Sequence, residues 1–326
     1  MDYRFLGKTG LKVPEISFGP GNNNVTDDRE GITLIEAAFD LGITLFDTAN
    51  FEKKGKVEEW LGNVFANKRD EVVIATKFSG NTTRKYIVNE CEKSLKRLKT
   101  DYIDLYQFHN WHSAVAIEES LEALTTLVQQ GKILYAGCCW FKTYQIANTL
   151  RAAERKGYTK LVSIGAKYNL LGQDVFSPYV LGEVLDQDLI PFCEEEAFGL
   201  IPFRPLAGGL LTGKYSPGQA PPSASRYAGS TYHYPDFVEK AQPLLEVVEQ
   251  LRPIAQRRGE SLAQFALAWT LSKPVVSSVL IGANNLAQLK ECASASGHTL
   301  SAEECSEIDE IRNVLPGCVA GSRARK

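Results

Sequence analysis

The sequence has no excess of one charge: Lys and Arg number 36 against 39 Asp and Glu, a formal net charge of −3. Such a balance gives no general pull towards nucleic acid or an acidic membrane surface. No apolar run approaches the roughly 18–20 residues of a membrane span, and Met1-Asp2-Tyr3-Arg4-Phe5 carries no apolar signal region. The seven cysteines include no CxxC pair, so neither a disulfide framework nor a zinc ribbon is expected, and a reduced, cytoplasmic setting fits best. No GxGxxG follows a strand-like run, which argues against a doubly wound dinucleotide-binding sheet. Apolar residues are not scarce: at 44% of 326 residues, with 23% charged, they exclude disorder and provide a large core.

What is present is one repeated pattern, a short apolar run followed by a helical stretch. The runs are Ile16–Phe18, Leu45–Asp47, Val72–Thr76, Ile103–Gln107, Ile133–Ala136, Val162–Ile164, Leu200–Phe203 and Val279–Ile281. They are continuous rather than alternating, as in parallel strands buried on both faces. Between them, Ile32, Ile35, Ala38 and Phe39 fall at helix spacing. So do Cys91, Leu95 and Leu98, and Leu121, Leu124, Leu127 and Val128, the last group ending at Gly131. Eight such units predict an α/β fold, a single (β/α)8 TIM barrel over 1–326, with a hairpin around Gly7-Lys8-Thr9-Gly10 ahead of it. Ser216–Pro235 reads as a long loop, and 317–326 as a flexible tail.

In such a barrel chemistry belongs at the C-terminal strand ends. That places Asp47, Lys77, His109, Gly137-Cys138, Gly165 and Phe203-Arg204 around one mouth, where a carboxylate, an amine and an imidazole suit acid/base work. At these residues the sequence resembles the aldo-keto reductase family along nearly its whole length. The carriers are Leu6–Val13, Leu45–Ala49, Glu58–Gly62, Val73–Lys77, Ser94–His109 and Pro205–Tyr215. The resemblance implies a barrel that moves a hydride between NADP or NAD and a carbonyl or alcohol. It also implies a catalytic tetrad of Asp, Tyr, Lys and His.

Asp47, Lys77 and His109 match that tetrad, but the tyrosine does not. The family run Asp-Thr-Ala-x-x-Tyr-Gly reads Asp47-Thr48-Ala49-Asn50-Phe51-Glu52-Lys53, and no tyrosine lies between Tyr3 and Tyr86. Glu52 therefore takes the tyrosine position, and Lys77 nearby is expected to keep its carboxylate ionised. The cofactor contacts implied by the resemblance are Phe203, stacking on nicotinamide, then Arg204, Leu206, Gly208, Gly282 and Gln288. Cys139-Trp140 and Gly165 replace the polar residues that hold the carboxamide, Cys292 replaces an asparagine near adenine, and Gly282-Ala283-Asn284-Asn285 lacks a basic residue for a 2′-phosphate. Trp111, Cys139 and Trp140 are expected to line the substrate pocket.

Three functions follow. The first is NAD(P)-linked oxidoreduction of a small sugar-like or aromatic carbonyl or hydroxyl compound. The second is cofactor-independent lyase, dehydratase or isomerase chemistry using Glu52 as base with Lys77 and His109. The third is a silent binding protein. The partner is a small molecule in the first two, with no nucleic acid, membrane or metal. His109 and His112 alone do not make a metal site. Arg204 suits either an anionic substrate or a neighbouring carboxylate, and Tyr227, Tyr232, His233 and Tyr234 either cap a ligand or pin their loop. Cys138-Cys139 read as small core residues, and Glu194-Glu195-Glu196 as a solvated turn or helix start.

Overall fold

A computed structural model describes residues 1–22, 25, 27–172, 185–223, 225–228 and 236–315. Eight parallel strands close into a barrel: β3 (Ile16–Phe18), β4 (Leu45–Asp47), β5 (Val73–Phe78), β6 (Ile103–Phe108), β7 (Ile133–Cys139), β8 (Leu161–Lys167), β9 (Gly199–Phe203) and β10 (Val279–Ile281), which returns to β3. Each predicted run lies in one of these strands, except that Val72 stands one residue before β5. The strand ends run further than the apolar runs suggested, however. Lys77 lies inside β5 and Cys138-Cys139 inside β7, because parallel pairing continues past the apolar residues to Phe78↔Phe108 and Cys139↔Gly165.

The antiparallel hairpin β1 (Tyr3–Phe5) and β2 (Lys12–Pro14) closes the N-terminal end. Its Leu6 and Val13 are fully buried with Leu45, Val73, Ala75, Leu105, Ile201 and Leu280. Gly7 makes the turn at φ 54°, where a Cβ would stand 2.7 Å from both the Ala197 carbonyl and the Gly199 nitrogen. Only glycine fits there.

Helices cover the outside: α1 (Asp28–Asp40), α2 (Lys56–Val64), α3 (Arg84–Leu98), α4 (Ile117–Gln129), α5 (Thr143–Lys156), α6 (Leu189–Glu196), α7 (Phe237–Arg257), α8 (Leu262–Leu271), α9 (Leu286–Ala293) and α10 (Ala302–Arg312). The larger core lies between them and the strands. Asp27 caps α1 by accepting from the Arg29 and Glu30 amides, and Gly131 follows α4 at φ 72°. Glu194-Glu195-Glu196 form the last turn of α6, exposed as expected but at the end of the helix rather than its start.

Residues 216–223 and 225–228 carry neither helix nor strand. Tyr227 pins that loop: it is buried, packs on Tyr215 and Phe237, and its hydroxyl donates to the Ala207 carbonyl. Tyr232, His233, Tyr234 and the tail 317–326 lie outside the described residues. Among the described residues no helix is long and apolar enough to cross a membrane.

Away from the mouth, one buried pair ties two strands together. The Asp104 carboxylate accepts from the Ile74 amide at 2.9 Å and pairs with Arg69, which also donates to the Val72 and Tyr102 carbonyls at 3.0 Å. Asp104→Ala strands the guanidinium and the amide, and is expected to cost about 3 kcal/mol. Urea unfolding should show this as a lower midpoint with an unchanged slope.

Candidate active site

The strand registers bring the polar mouth together. Asp47 ends β4 opposite Ala75, and Lys77 lies one pleat further along β5, opposite Gln107. All three side chains are buried, so their polar atoms must find partners among themselves. The Lys77 ammonium pairs with Asp47 Oδ1 and donates to the Thr48 carbonyl at 3.0 Å, and Gln107 Nε2 donates to Asp47 Oδ2 at 3.2 Å. Burial alone would lower the Lys77 pKa. The carboxylates of Asp47 and Glu52 outweigh it and hold the amine above its ordinary value.

Glu52 begins a short 3₁₀ turn, Glu52–Gly55. Lys53, Lys54 and Gly55 follow at φ 44°, 60° and 88°, a left-handed run that turns the chain from the barrel rim into α2. The Thr48 hydroxyl donates to Glu52 Oε2 at 2.9 Å. Burial pushes the Glu52 pKa up from 4.5 to about 7, against the Lys77 ammonium and the Thr48 hydrogen bond, which pull it down; Asp47 and Glu58 add to the rise. The expectation that Lys77 keeps Glu52 fully ionised is met only in part: near neutral pH the carboxyl is divided between its acid and anionic forms. Desolvation disfavours the anion, and Asp47 already neutralises much of the nearby lysine charge.

His109 follows β6, its amide donating to the Phe78 carbonyl at 3.0 Å. Burial, then the like charge of Lys77, lowers its pKa to about 4, so the ring is neutral at pH 7. Nδ1 lies 3.2 Å from Asn110 Nδ2. With the amide as donor, Nε2 carries the proton and is the nitrogen able to donate to a ligand. Phe51, half exposed, packs on the imidazole at 5.1 Å.

The other expected residues lie at or just after the ends of β6, β7 and β9. Cys139 is buried at the end of β7, its thiol pushed up to about 12 by burial and therefore unreactive. Cys138 is buried beside it, as expected of a small core residue. Trp140 and Arg204, the residues directly after β7 and β9, take positive φ of 56° and 54°. Such outliers gather at functional sites. The Trp140 indole packs on Phe203 at 4.9 Å, and Trp111 packs edge-on against Phe141 at 5.1 Å. Arg204 is exposed. Among the described residues no group of three or more His, Cys, Asp or Glu comes together as a metal site.

The residues fit a dinucleotide at one end better than at the other. Leu206 precedes a 3₁₀ stretch, Ala207–Thr212, in which Gly208 and Gly209 have φ of 68° and 103°; Lys214 follows it, its pKa lowered by burial and by Arg226. Gly282 is exposed beyond β10, and Gln288, also exposed, accepts from the Asn284 amide at 2.9 Å at the start of α9. Cationic groups and open backbone there suit phosphates. Cys292 is buried on α9, away from solvent. At the other end Phe203 offers a ring face, but Cys139, Trp140 and Gly165 present no side-chain amide or hydroxyl for a carboxamide.

Thr48, Gln107 and the turn Pro20–Asn22, which lies against Glu52, are members of the site that sequence reasoning did not single out. Thr48 and Gln107 sit inside the recognised runs, where a buried polar residue beside a charged strand end was the available signal.

Comparison with known proteins agrees with this geometry. The model of the aldo/keto reductase family matches residues 15–313. L-glyceraldehyde 3-phosphate reductase of Escherichia coli is 34% identical, with 95% of this chain and 92% of that protein covered. A probable voltage-gated potassium channel subunit beta of Arabidopsis thaliana is 33% identical over 89% of this chain and 90% of its own length. The uncharacterized oxidoreductase YrpG of Bacillus subtilis is 32% identical over 95% and 96%. With its closed barrel and the Asp47–Lys77 pair at the strand ends, the chain belongs to the aldo/keto reductase family.

Proposed function

We propose that the protein is an NAD(P)-linked oxidoreductase of a small carbonyl or hydroxyl compound in which Glu52 handles the proton. One arrangement carries this reading: a half-buried carboxyl, its pKa raised by desolvation to about 7, sits beside a buried Lys77–Asp47 pair. A group that is half protonated at neutral pH can give a proton to a forming alkoxide and take one from an alcohol. Lys77 is poorly suited to that role, because Asp47 holds its pKa above the ordinary value and, with the Thr48 carbonyl, engages two of its three protons. It supplies positive potential instead, which stabilises negative charge developing on the substrate oxygen. Neutral His109 orients that oxygen through Nε2. A nicotinamide bound over Phe203 would supply or accept the hydride, with Arg204, Leu206, Gly208, Gly282 and Gln288 along its path. The reductase relative that acts on a phosphorylated aldehyde supports a small carbonyl, and the exposed Arg204 supports an anionic group on it.

A second reading, redox-neutral proton transfer next to a carbonyl, is favoured by the Trp140–Phe203 packing and by the missing carboxamide contacts. Calorimetric titration with NADPH and NADH separates the two. The redox reading expects micromolar binding, equal in wild type and Glu52→Gln. Absence of binding at high micromolar nucleotide overturns it. Glu52→Gln should also lower turnover by about 10²–10⁴-fold. Carbonyl reduction by wild type should fall as pH rises through about 7, since the acid form of Glu52 is lost, and alcohol oxidation should rise there. Both limbs should vanish in the variant.

The raised pKa has a second consequence, for stability. Folded Glu52 binds its proton more tightly than unfolded glutamate, so between pH 4.5 and about 7 the native state holds the extra proton and stability falls as pH rises through that window. Glu52→Gln is therefore expected to be more stable than wild type by about 3 kcal/mol above pH 7 and equal to it below 4.5. Urea titrations across that range check the difference.

A further inference from the structure

The first turn of the barrel, Pro20–Asn22 after β3, closes over the Glu52 carboxyl. It is anchored from below by the Gly19 amide, which donates to the Ile281 carbonyl of β10 at 2.9 Å. A Cβ built on Gly21 would stand 1.8 Å from Glu52 Oε2, 2.4 Å from its carboxyl carbon and 3.1 Å from its Cβ. Contacts of that kind need about 3.5–4.0 Å, so the site as it stands has room for no side chain at residue 21. The backbone of Gly21 lies outside the left-handed region. Glycine is therefore not needed there for its conformation. What needs it is Glu52.

We propose that Gly21 is a positioning residue: its missing side chain lets the Pro20–Asn22 turn close on the Glu52 carboxyl and hold it against the Thr48 hydroxyl. The inference rests on the reading of Glu52 as the proton-handling group, and deepens it. The groups facing that carboxyl are Lys77 from β5, Asp47 and Thr48 from the end of β4, and Glu58 from α2, with His109 beyond Lys77. Pro20, Gly21 and Asn22 bring no charge. The turn acts on Glu52 only by excluding water and by shape, and both are lost if the carboxyl moves aside. The carboxyl is the far end of a flexible side chain, so it, and not the backbone, is what gives way to an added methyl.

The test uses the full-length chain and reads Glu52 directly. Carboxyl ¹³C signals of wild type, Gly21→Ala and Glu52→Gln are followed against pH, the last identifying the Glu52 signal by its absence. Gly21→Ala is expected to move the Glu52 midpoint from about 7 back towards 4.5 and to lower turnover by about tenfold or more while nucleotide binding is retained. Glu52→Asp, one methylene shorter, draws the carboxyl back from its 1.8 and 2.4 Å contacts and keeps only the milder 3.1 Å one at Cβ, so Gly21→Ala loses less in that background than in wild type. If Gly21→Ala does not fold alone, recovery of folding in the double variant supports the clash, and its failure to recover overturns it. An unchanged Glu52 midpoint in a folded Gly21→Ala also overturns the proposal. A shifted midpoint with turnover unaffected in both Gly21→Ala and Glu52→Gln keeps Gly21 as the positioning residue and removes Glu52 from the reaction.

Discussion

A lysine buried in the barrel wall must keep its charge balanced, and the mouth is arranged around that constraint. Lys77 meets Asp47 inside the protein, and the two cancel. A third charge in the same covered space would be unbalanced, and uncompensated buried charge is expensive. Two further titratable groups beside the pair, Glu52 and His109, answer it in the same way. Glu52 holds its proton up to about pH 7, and His109 refuses one down to about 4. The site is thus close to neutral overall when Glu52 is protonated. It becomes anionic by one charge when the proton leaves, the property a reversible acid needs.

The barrel makes this balance possible through register. Pairing of Asp47 with Ala75 and of Lys77 with Gln107 sets the carboxylate, the ammonium and the amide at neighbouring strand ends. A second layer holds the frame from outside. Thr76 and Arg97 donate to Glu58 at 2.7 and 2.6 Å, and Asn50 and Lys93 donate to Glu90 at 2.7 Å. Asn50 lies between Thr48 and Glu52 in sequence, so its anchorage to α3 fixes the loop that carries both. Rigid support of this kind is what precise proton transfer demands.

The barrel was legible because parallel strands buried on both faces write continuous apolar runs, and all eight runs fall on strands, with Val72 alone lying just outside. Their C-terminal ends were less legible. β5 runs on through Lys77 and β7 through Gly137, Cys138 and Cys139, polar or small residues that pairing rather than hydrophobicity carries. Asp47, Lys77, Glu52 and His109 could be placed from the motif alone. The proton state of Glu52 could not, because the lysine beside it is visible in sequence and the burial around it is not. Nor could Gly21, whose importance is a contact with a residue 31 positions away. Tyr227 was ambiguous for the same reason: whether an aromatic in an irregular loop turns inward is a property of packing.

The claim at the centre of this account is that folding makes Glu52 a neutral-pH acid. Difference infrared titration of the full-length protein, with Glu52→Gln as the reference, isolates the carbonyl band of this one protonated carboxyl between pH 4 and 9. The account predicts a band that disappears with a midpoint near 7. A midpoint near 4.5, the ordinary glutamate value, would show that the carboxylate stays ionised in the folded protein and would contradict it.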